Sequence, residues 1–183
     1  PNYMWHIDGY DKLKPFGFAI HGAIDGFSRK ILWLKVGSSN NNPKVIATYY
    51  LDCISSLNNN IPMVVRSDRG TENVVLAGIQ QFFRREEIGR FAGNNSFRYG
   101  ASTANQRIEA WWSQLRRHRA NWWINFFKDM VALDLFDASN EIHLQCIRFC
   151  FLPILQLELN DTMELWNNHY IRASRNSECI PGR

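Results

Sequence analysis

The chain has 183 residues, enough for one domain with a substantial core, and its 14% aromatic content includes seven Trp and twelve Phe. A formal charge of +4 with a pI near 9.0 is a mild pointer to an anionic partner. Four scattered cysteines exclude a secreted disulfide scaffold and fit a reducing compartment, cytosol or nucleus. No run of about eighteen uncharged apolar residues suggests a membrane span, no secretory signal opens the chain, and a start at Pro1 reads as an excised domain.

Taken in order, residues 3–8 (YMWHID) form an apolar run ending on Asp8, a strand with a carboxylate at its end. Residues 17–24 and 30–36 are two further strands around the turn Asp25-Gly26-Phe27-Ser28-Arg29. After a polar loop, Pro43 suits the first turn of a helix over 44–57. Its apolar stripe runs through Ile46, Tyr50, Cys53 and Ile54. A short strand over 62–66 then delivers Ser67-Asp68 at its end. Residues 72–87 read as a helix and 88–92 as a short strand.

The Gly-, Asn- and Ser-rich stretch 93–103 reads as a loop, with Ser102 or Thr103 able to cap a long helix from Ala104 into 122–127. From 129 to 170 the pattern is helical, broken near Pro153, and the tail from Ala173 is irregular. No repeat or clear boundary divides the chain. Strands followed by helices alternating with short strands predict a mixed α/β sheet with helices on both faces.

Charge is unevenly spread. Residues 84–119 carry eight Arg against three Glu, which leaves the rest near neutral. A local arginine surplus is what a phosphate-binding face needs, although the same residues could simply solvate a helix. Three acids stand in distinctive contexts: Asp8 in WHIDGY, Asp68 in RSDRGTEN and Glu109 in ANQRIEAWW. Any one alone is more often a structural acid than a catalytic one. Their conjunction, on two strand ends and one basic helix, is far more specific.

With those motifs the chain resembles the DDE-type integrase catalytic core of retroviral and retrotransposon integrases and related cut-and-paste DNA transposons. The matching pieces are Asp8, the turn 25–29, the run Ser67–Asn73 and the helix start Asn105-Gln-Arg-Ile-Glu109. A weaker echo is Trp166-Asn167 followed by Arg172 and Arg175. Among relatives, the integrase-like cores of eukaryotic DNA transposons, and genes derived from them, look most similar. Two departures stand out. Forty residues separate Asp68 from Glu109, more than is usual in that family, so an extended loop is expected; and Arg69 stands where many members have Asn.

The resemblance implies an RNase H-like fold: a five-stranded mixed sheet flanked by helices. The core is expected over about 1–128 of an integrase catalytic core spanning 1–183, with a helical C-terminal extension over about 129–183. It implies that Asp8, Asp68 and Glu109 are catalytic and hold two Mg²⁺ or Mn²⁺ ions for DNA end processing and strand transfer in the nucleus. Such chemistry needs both the attacking and the leaving oxygen of a phosphodiester stabilised, which two hard cations on carboxylates can do. On the helix, Asn105, Ser113 and Arg116 share the face of Glu109. In the family that the chain resembles this face lies along the DNA end, which implies Asn105 and Arg116 as DNA contacts, with Arg107, Arg117 and Arg69 as further candidates. The alternative is a domesticated, silent core that binds DNA or oligomerises; a ribonuclease for RNA–DNA hybrids fits these motifs less well.

Other features carry less. His143, Cys146 and Cys150 share helical spacing for a metal, but in an apolar segment with no fourth ligand, where free cysteines are ordinary. His6 and His21 read as core or edge histidines. Trp111-Trp112, Trp122-Trp123 and Phe126-Phe127 exceed what one helix face can bury, which suggests a homodimer or higher oligomer joined there.

Overall fold

The computed structural model describes residues 1–101 and 105–170. Five strands make one sheet: β1 (Met4–Tyr10), β2 (Ala19–Asp25), β3 (Ile31–Gly37), β4 (Val64–Ser67) and β5 (Phe97–Tyr99), in the order β3-β2-β1-β4-β5. The first three pair antiparallel, and β4 and β5 add in parallel to β1. This is the mixed, RNase H-like sheet that the motifs imply. Chain order explains it: short turns allow antiparallel neighbours, whereas β4 and β5 each follow a helix and so return in parallel.

Two helices cover one face, α1 (Pro43–Ser56) and α2 (Val74–Phe83). Asn42 caps α1 by accepting a hydrogen bond from the Lys44 amide, and Pro43 occupies the first turn, where its missing N–H costs nothing. Trp5, Ile7, Trp33, Tyr50 and Leu76 form the core on this side.

The other face carries a longer helical run: α3 (Gln106–Leu115), a π-type turn over Arg116–Ala120, and α4 (Asn121–Ala132). A bend at 133–140, with Asp134 at φ 56°, leads into α5 (Glu141–Asn168). Phe18, Ile20, Trp112, Phe127, Leu155 and Leu159 belong to one core on this side. The C-terminal helix is thus part of the same hydrophobic core as the sheet, and residue 128 falls inside α4.

Three expectations need correcting. The strand foreseen at 88–92 is absent: Ile88 is fully exposed and Gly89 turns the chain at φ 136°. The fifth strand is instead Phe97–Tyr99, too short and too close to the Gly-Asn-Asn-Ser run to show in the pattern. Helix α5 passes through Pro153 without a break. Pro153 lies on the exposed side, where water can satisfy the carbonyl that loses its partner, while Ile147, Leu155 and Leu159 hold the opposite side. The pattern from 129 to 170 is also two helices with a turn, because Asn140 caps α5 through the Ile142 amide. The cap candidates Ser102 and Thr103, and Arg172 and Arg175, lie outside the described residues.

Helix α5 solves a problem that the sheet creates. Strand β3 is an edge, whose outer N–H and C=O groups would otherwise be open. Gln156 accepts from the Val36 amide (3.1 Å) and donates to the Leu34 carbonyl (3.0 Å). Asn167 does the same for both backbone groups of Ile31, at 2.7 and 2.9 Å. Trp166 donates to the Arg29 carbonyl nearby. Two side-chain amides thereby stand in for a sixth strand. By length and composition α5 could also cross a membrane; here one side of it is committed to β3.

Asn167→Ala removes two of these bonds and reopens the edge. The expected result in chemical denaturation is a loss of about 2 kcal/mol, with an increased tendency to aggregate; an unchanged midpoint would show that the edge needs no such seal.

Candidate active site

The parallel register brings two acids level. His6 pairs with Arg66 at the end of the β1–β4 ladder, so Asp8 and Asp68 each lie two residues beyond it on neighbouring strands, where spacing is about 4.8 Å. Asp8 is within β1, which continues to Tyr10, and is not its last residue. Asp68 follows β4 directly and accepts a hydrogen bond from the Gly70 amide at 3.2 Å. A Cβ at Gly70 would stand 1.9 Å from a Glu72 carboxylate oxygen, so a larger residue there would displace the Glu72 side chain.

Glu109 arrives from α3, and two contacts fix that helix on the sheet. Trp112, one turn after Glu109, donates its indole N–H to Asp8 Oδ2 at 2.9 Å. Its ring can lie this close because Gly22 is opposite Asp8 on β2; a Cβ there would come within 2.8 Å of the indole. At the start of the helix, Asn105 donates to the Ile7 carbonyl (2.9 Å) and accepts from His6 Nδ1 (2.7 Å). The residue before Asp8 and the residue one turn before Glu109 are therefore tied together.

Asp8, Asp68 and Glu109 line one open depression of about 330 Å³, with Tyr10, Trp112 and Arg116 also in its walls. The acids feel one another. Burial first, then the charges of Glu109 and Asp68, push the Asp8 carboxyl up to about 7, against the pull of the Trp112 bond. Glu72 is raised too, by burial and by the charges of Asp68 and Asp11. As the side chains stand, no three His, Cys, Asp or Glu among the described residues are close enough together to hold one ion. The Trp112 and Gly70 hydrogen bonds hold Asp8 and Asp68 on protein donors. The donor set is all oxygen, which suits a hard divalent cation.

The DNA-contact candidates divide. Arg69, Arg107, Arg116 and Arg117 are exposed, and Arg116 borders the depression. Asn105 is not on that surface: it is 1% exposed and its amide is spent on His6 and Ile7, so it is corrected to an internal tie. Part of the arginine surplus is structural as well. Buried Arg84 donates to the Pro62 carbonyl and pairs with Glu87, and Arg119 faces Glu158 on α5 at 3.7 Å. Trp111, Trp112, Trp123 and Phe127 are core; of the aromatic pairs only Trp122 is largely exposed, at 61%. In the other candidate cluster, His143 accepts from the Asp137 amide, and Cys146 and Cys150 are exposed. Sequence inspection missed Trp112 as a partner of Asp8, and also Asp11 and Lys12 in the depression wall. Trp112 had one legible signal, its i+3 spacing from Glu109.

Sheet order, helix placement and three converging carboxylates define an RNase H-like domain with an acidic centre. A family model described as "Integrase core domain" matches residues 1–180, and the chain belongs to that family. Among solved structures it is similar to the catalytic core domain of HTLV-2 integrase, solved in complex with magnesium in a trimeric form. Identity there is 16%, over 79% of this chain and 81% of that one, with a TM-score of 0.43. A search of curated proteins finds no match.

Two outcomes follow from the geometry. Because folding raises the Asp8 pKa above its ordinary 3.8, the folded chain holds a proton that the unfolded chain has lost between 3.8 and about 7. Stability contributed by this group therefore falls as pH rises through that window. Without divalent cations, Asp8→Asn is expected to raise stability at pH 8 by about 2 kcal/mol, after allowance for solvent screening. Thermal melts should show the gain fading toward pH 4; equal gains at both pH values would contradict the charge-cluster account. Separately, Asn105→Ala leaves two buried groups without partners, at a cost of about 2–4 kcal/mol. Hydrogen exchange should then accelerate at the Glu109 amide far more than in α1.

Proposed function

We propose that the chain is a metal-dependent polynucleotidyl transferase that processes DNA ends and joins them to target DNA in the nucleus. The observation that supports this most directly is the convergence of Asp8, Asp68 and Glu109, from two adjacent parallel strands and one helix, on a single open depression. Neighbouring, partly buried carboxylates are costly to keep ionised unless cations compensate them, and Asp8 is raised to about 7 by burial first and then by the charges of Glu109 and Asp68.

In this reading the three acids hold two Mg²⁺ or Mn²⁺ ions, which supply Lewis-acid activation of the nucleophile and charge stabilisation at the leaving oxygen. The chain's own residues bind and orient. Trp112 restrains Asp8 through Oδ2, Gly70 restrains Asp68, and Asn105 sets the start of the helix that carries Glu109. Arg116 at the rim, with exposed Arg107, Arg117 and Arg69, provides phosphate contacts that position the DNA without reading its sequence. The likeness to cores of DNA transposons, rather than any one residue, favours a transposable element or a gene derived from one as the source, and self-association of the core accompanies the reading.

The test is a nicking and joining assay on duplex DNA with Mn²⁺ or Mg²⁺. Activity should fall at least about 100-fold in Asp68→Asn and in Glu109→Gln. Unchanged activity in both variants would falsify the site. Thermal titration separates the silent-module reading: no stabilisation by millimolar Mn²⁺ would favour a core that only binds DNA.

A further inference from the structure

The turn 25–29 belongs to the same set of motifs as the three acids, yet none of its residues borders the acidic depression. It joins β2 to β3 at the other end of the sheet. The Gly26 amide donates to the Met4 carbonyl (2.8 Å), four residues before Asp8 and so roughly 13 Å away along β1. The turn is held from several sides. Asp25, 1% exposed, accepts from the Ser28 amide (2.6 Å) and from the Asn2 amide (2.8 Å). Helix α5 grips it through the Trp166 bond to the Arg29 carbonyl.

Gly26 does not adopt a positive φ, so backbone freedom is not what glycine supplies there. It supplies room. A Cβ at that point would stand 3.0 Å from His6 Nε2, 3.1 Å from His6 Cδ2 and 3.0 Å from the Met4 carbonyl oxygen. The Nε2 edge of the buried imidazole therefore lies against the turn. Its other nitrogen, Nδ1, is 2.7 Å from Asn105 Oδ1. The Ile7 carbonyl can only accept, so it takes the Asn105 amide nitrogen and leaves Oδ1 toward His6. The imidazole proton then sits on Nδ1.

We infer that His6 is a positioning residue for Glu109, acting through Asn105, and that the turn 25–29 is the backstop that keeps its imidazole in place. A ring wedged at its far edge cannot rotate away from Asn105, and its N–H, two bonds from Cβ, has a fixed position. Asn105 in turn begins α3, where its carbonyl accepts from the Glu109 amide at 3.3 Å. His6 and Asp8 are two residues apart on one strand and face α3 together. This gives the remote turn a reason to accompany the acids: it supports the helix that carries one of them. The link to catalysis rests on the proposed function, whereas the tie itself belongs to the metal-free fold.

Two substitutions separate the donor from the bulk of the ring. His6→Asn keeps an N–H at the Nδ1 position and lacks the Nε2 end; His6→Gln places its amide at the Nε2 position and loses the Nδ1 donor. Hydrogen exchange of the 183-residue chain without metal is followed at the Glu109 amide. His6→Gln should accelerate it at least about 10-fold relative to the amides of α1, the scale of one lost buried hydrogen bond, and His6→Asn should stay within about threefold of wild type. Gly26→Ala should accelerate it in the wild-type background and not in His6→Asn, whose side chain stops short of Gly26. Equal acceleration in His6→Asn and His6→Gln, or none in either, overturns the His6 tie. A Gly26→Ala effect of the same size in both backgrounds overturns the backstop. In DNA joining with Mn²⁺, His6→Gln should lower kcat about 10-fold with KM for DNA unchanged, and His6→Asn should restore it. A raised KM with unchanged kcat overturns positioning in favour of a role in DNA binding. A wild type that joins no DNA overturns the proposed function and leaves the exchange result to decide the tie.

Discussion

The acidic centre depends on how α3 is tied to β1. Backbone pairing alone brings Asp8 and Asp68 level, because both lie on one sheet and share its register. Nothing in the sheet positions Glu109. That falls to the Asn105 amide, which spans from the Ile7 carbonyl to His6, and to Trp112, which lies over Gly22 and reaches Asp8. Both ties are hydrogen bonds in a largely dry setting, where a missing partner costs more than the bond itself returns. A slip of α3 along the sheet would leave several polar groups buried without partners at once. The helix therefore has one favourable position, and Glu109 inherits it.

The far edge of the sheet is held by the same device. Gln156 and Asn167 present an acceptor and a donor each to β3, as Asn105 does to β1 and His6. Side-chain amides suit such positions because one planar group answers both an N–H and a C=O. Between these ties the apolar packing is continuous from the sheet through α3 and α4 to α5. The C-terminal helix is consequently bound into the support of the site: it closes the edge, packs beneath α4 and takes up Arg119 through Glu158.

Much of this was legible in the sequence, and what was not has identifiable causes. Strands β1 to β4 and helix α1 stood out because their apolar residues follow the local period and their turns carry Gly, Asp, Asn or Pro. The acid trio was visible through its contexts, each an acid beside a strand end or on a basic helix. Strand β5 was not, since three residues with one well-buried side chain give no period to read. Pro153 misled because local rules cannot show which side of a helix faces water. Asn105 misled for a related reason: spacing put it on the Glu109 face, whereas its side chain turns under the helix toward β1. The arginine surplus blurred in the same way, because Arg84 and Arg119 answer groups distant in sequence.

The acidic centre also works against the fold that supports it. A carboxyl raised to about 7 beside two further acids is a group the folded chain would rather protonate. The apolar floor under it, from Tyr10 and Trp112, deepens that penalty by limiting water's access, yet the same floor strengthens any cation held there by lowering the local dielectric. Sheet register, the Trp112 bond and the Asn105 tie keep the acids near one another despite the repulsion. An arrangement that costs stability in one state and is held by several independent contacts is what the binding site proposed above requires. The raised Asp8 carboxyl is the physical cost that the proposed cation site would offset.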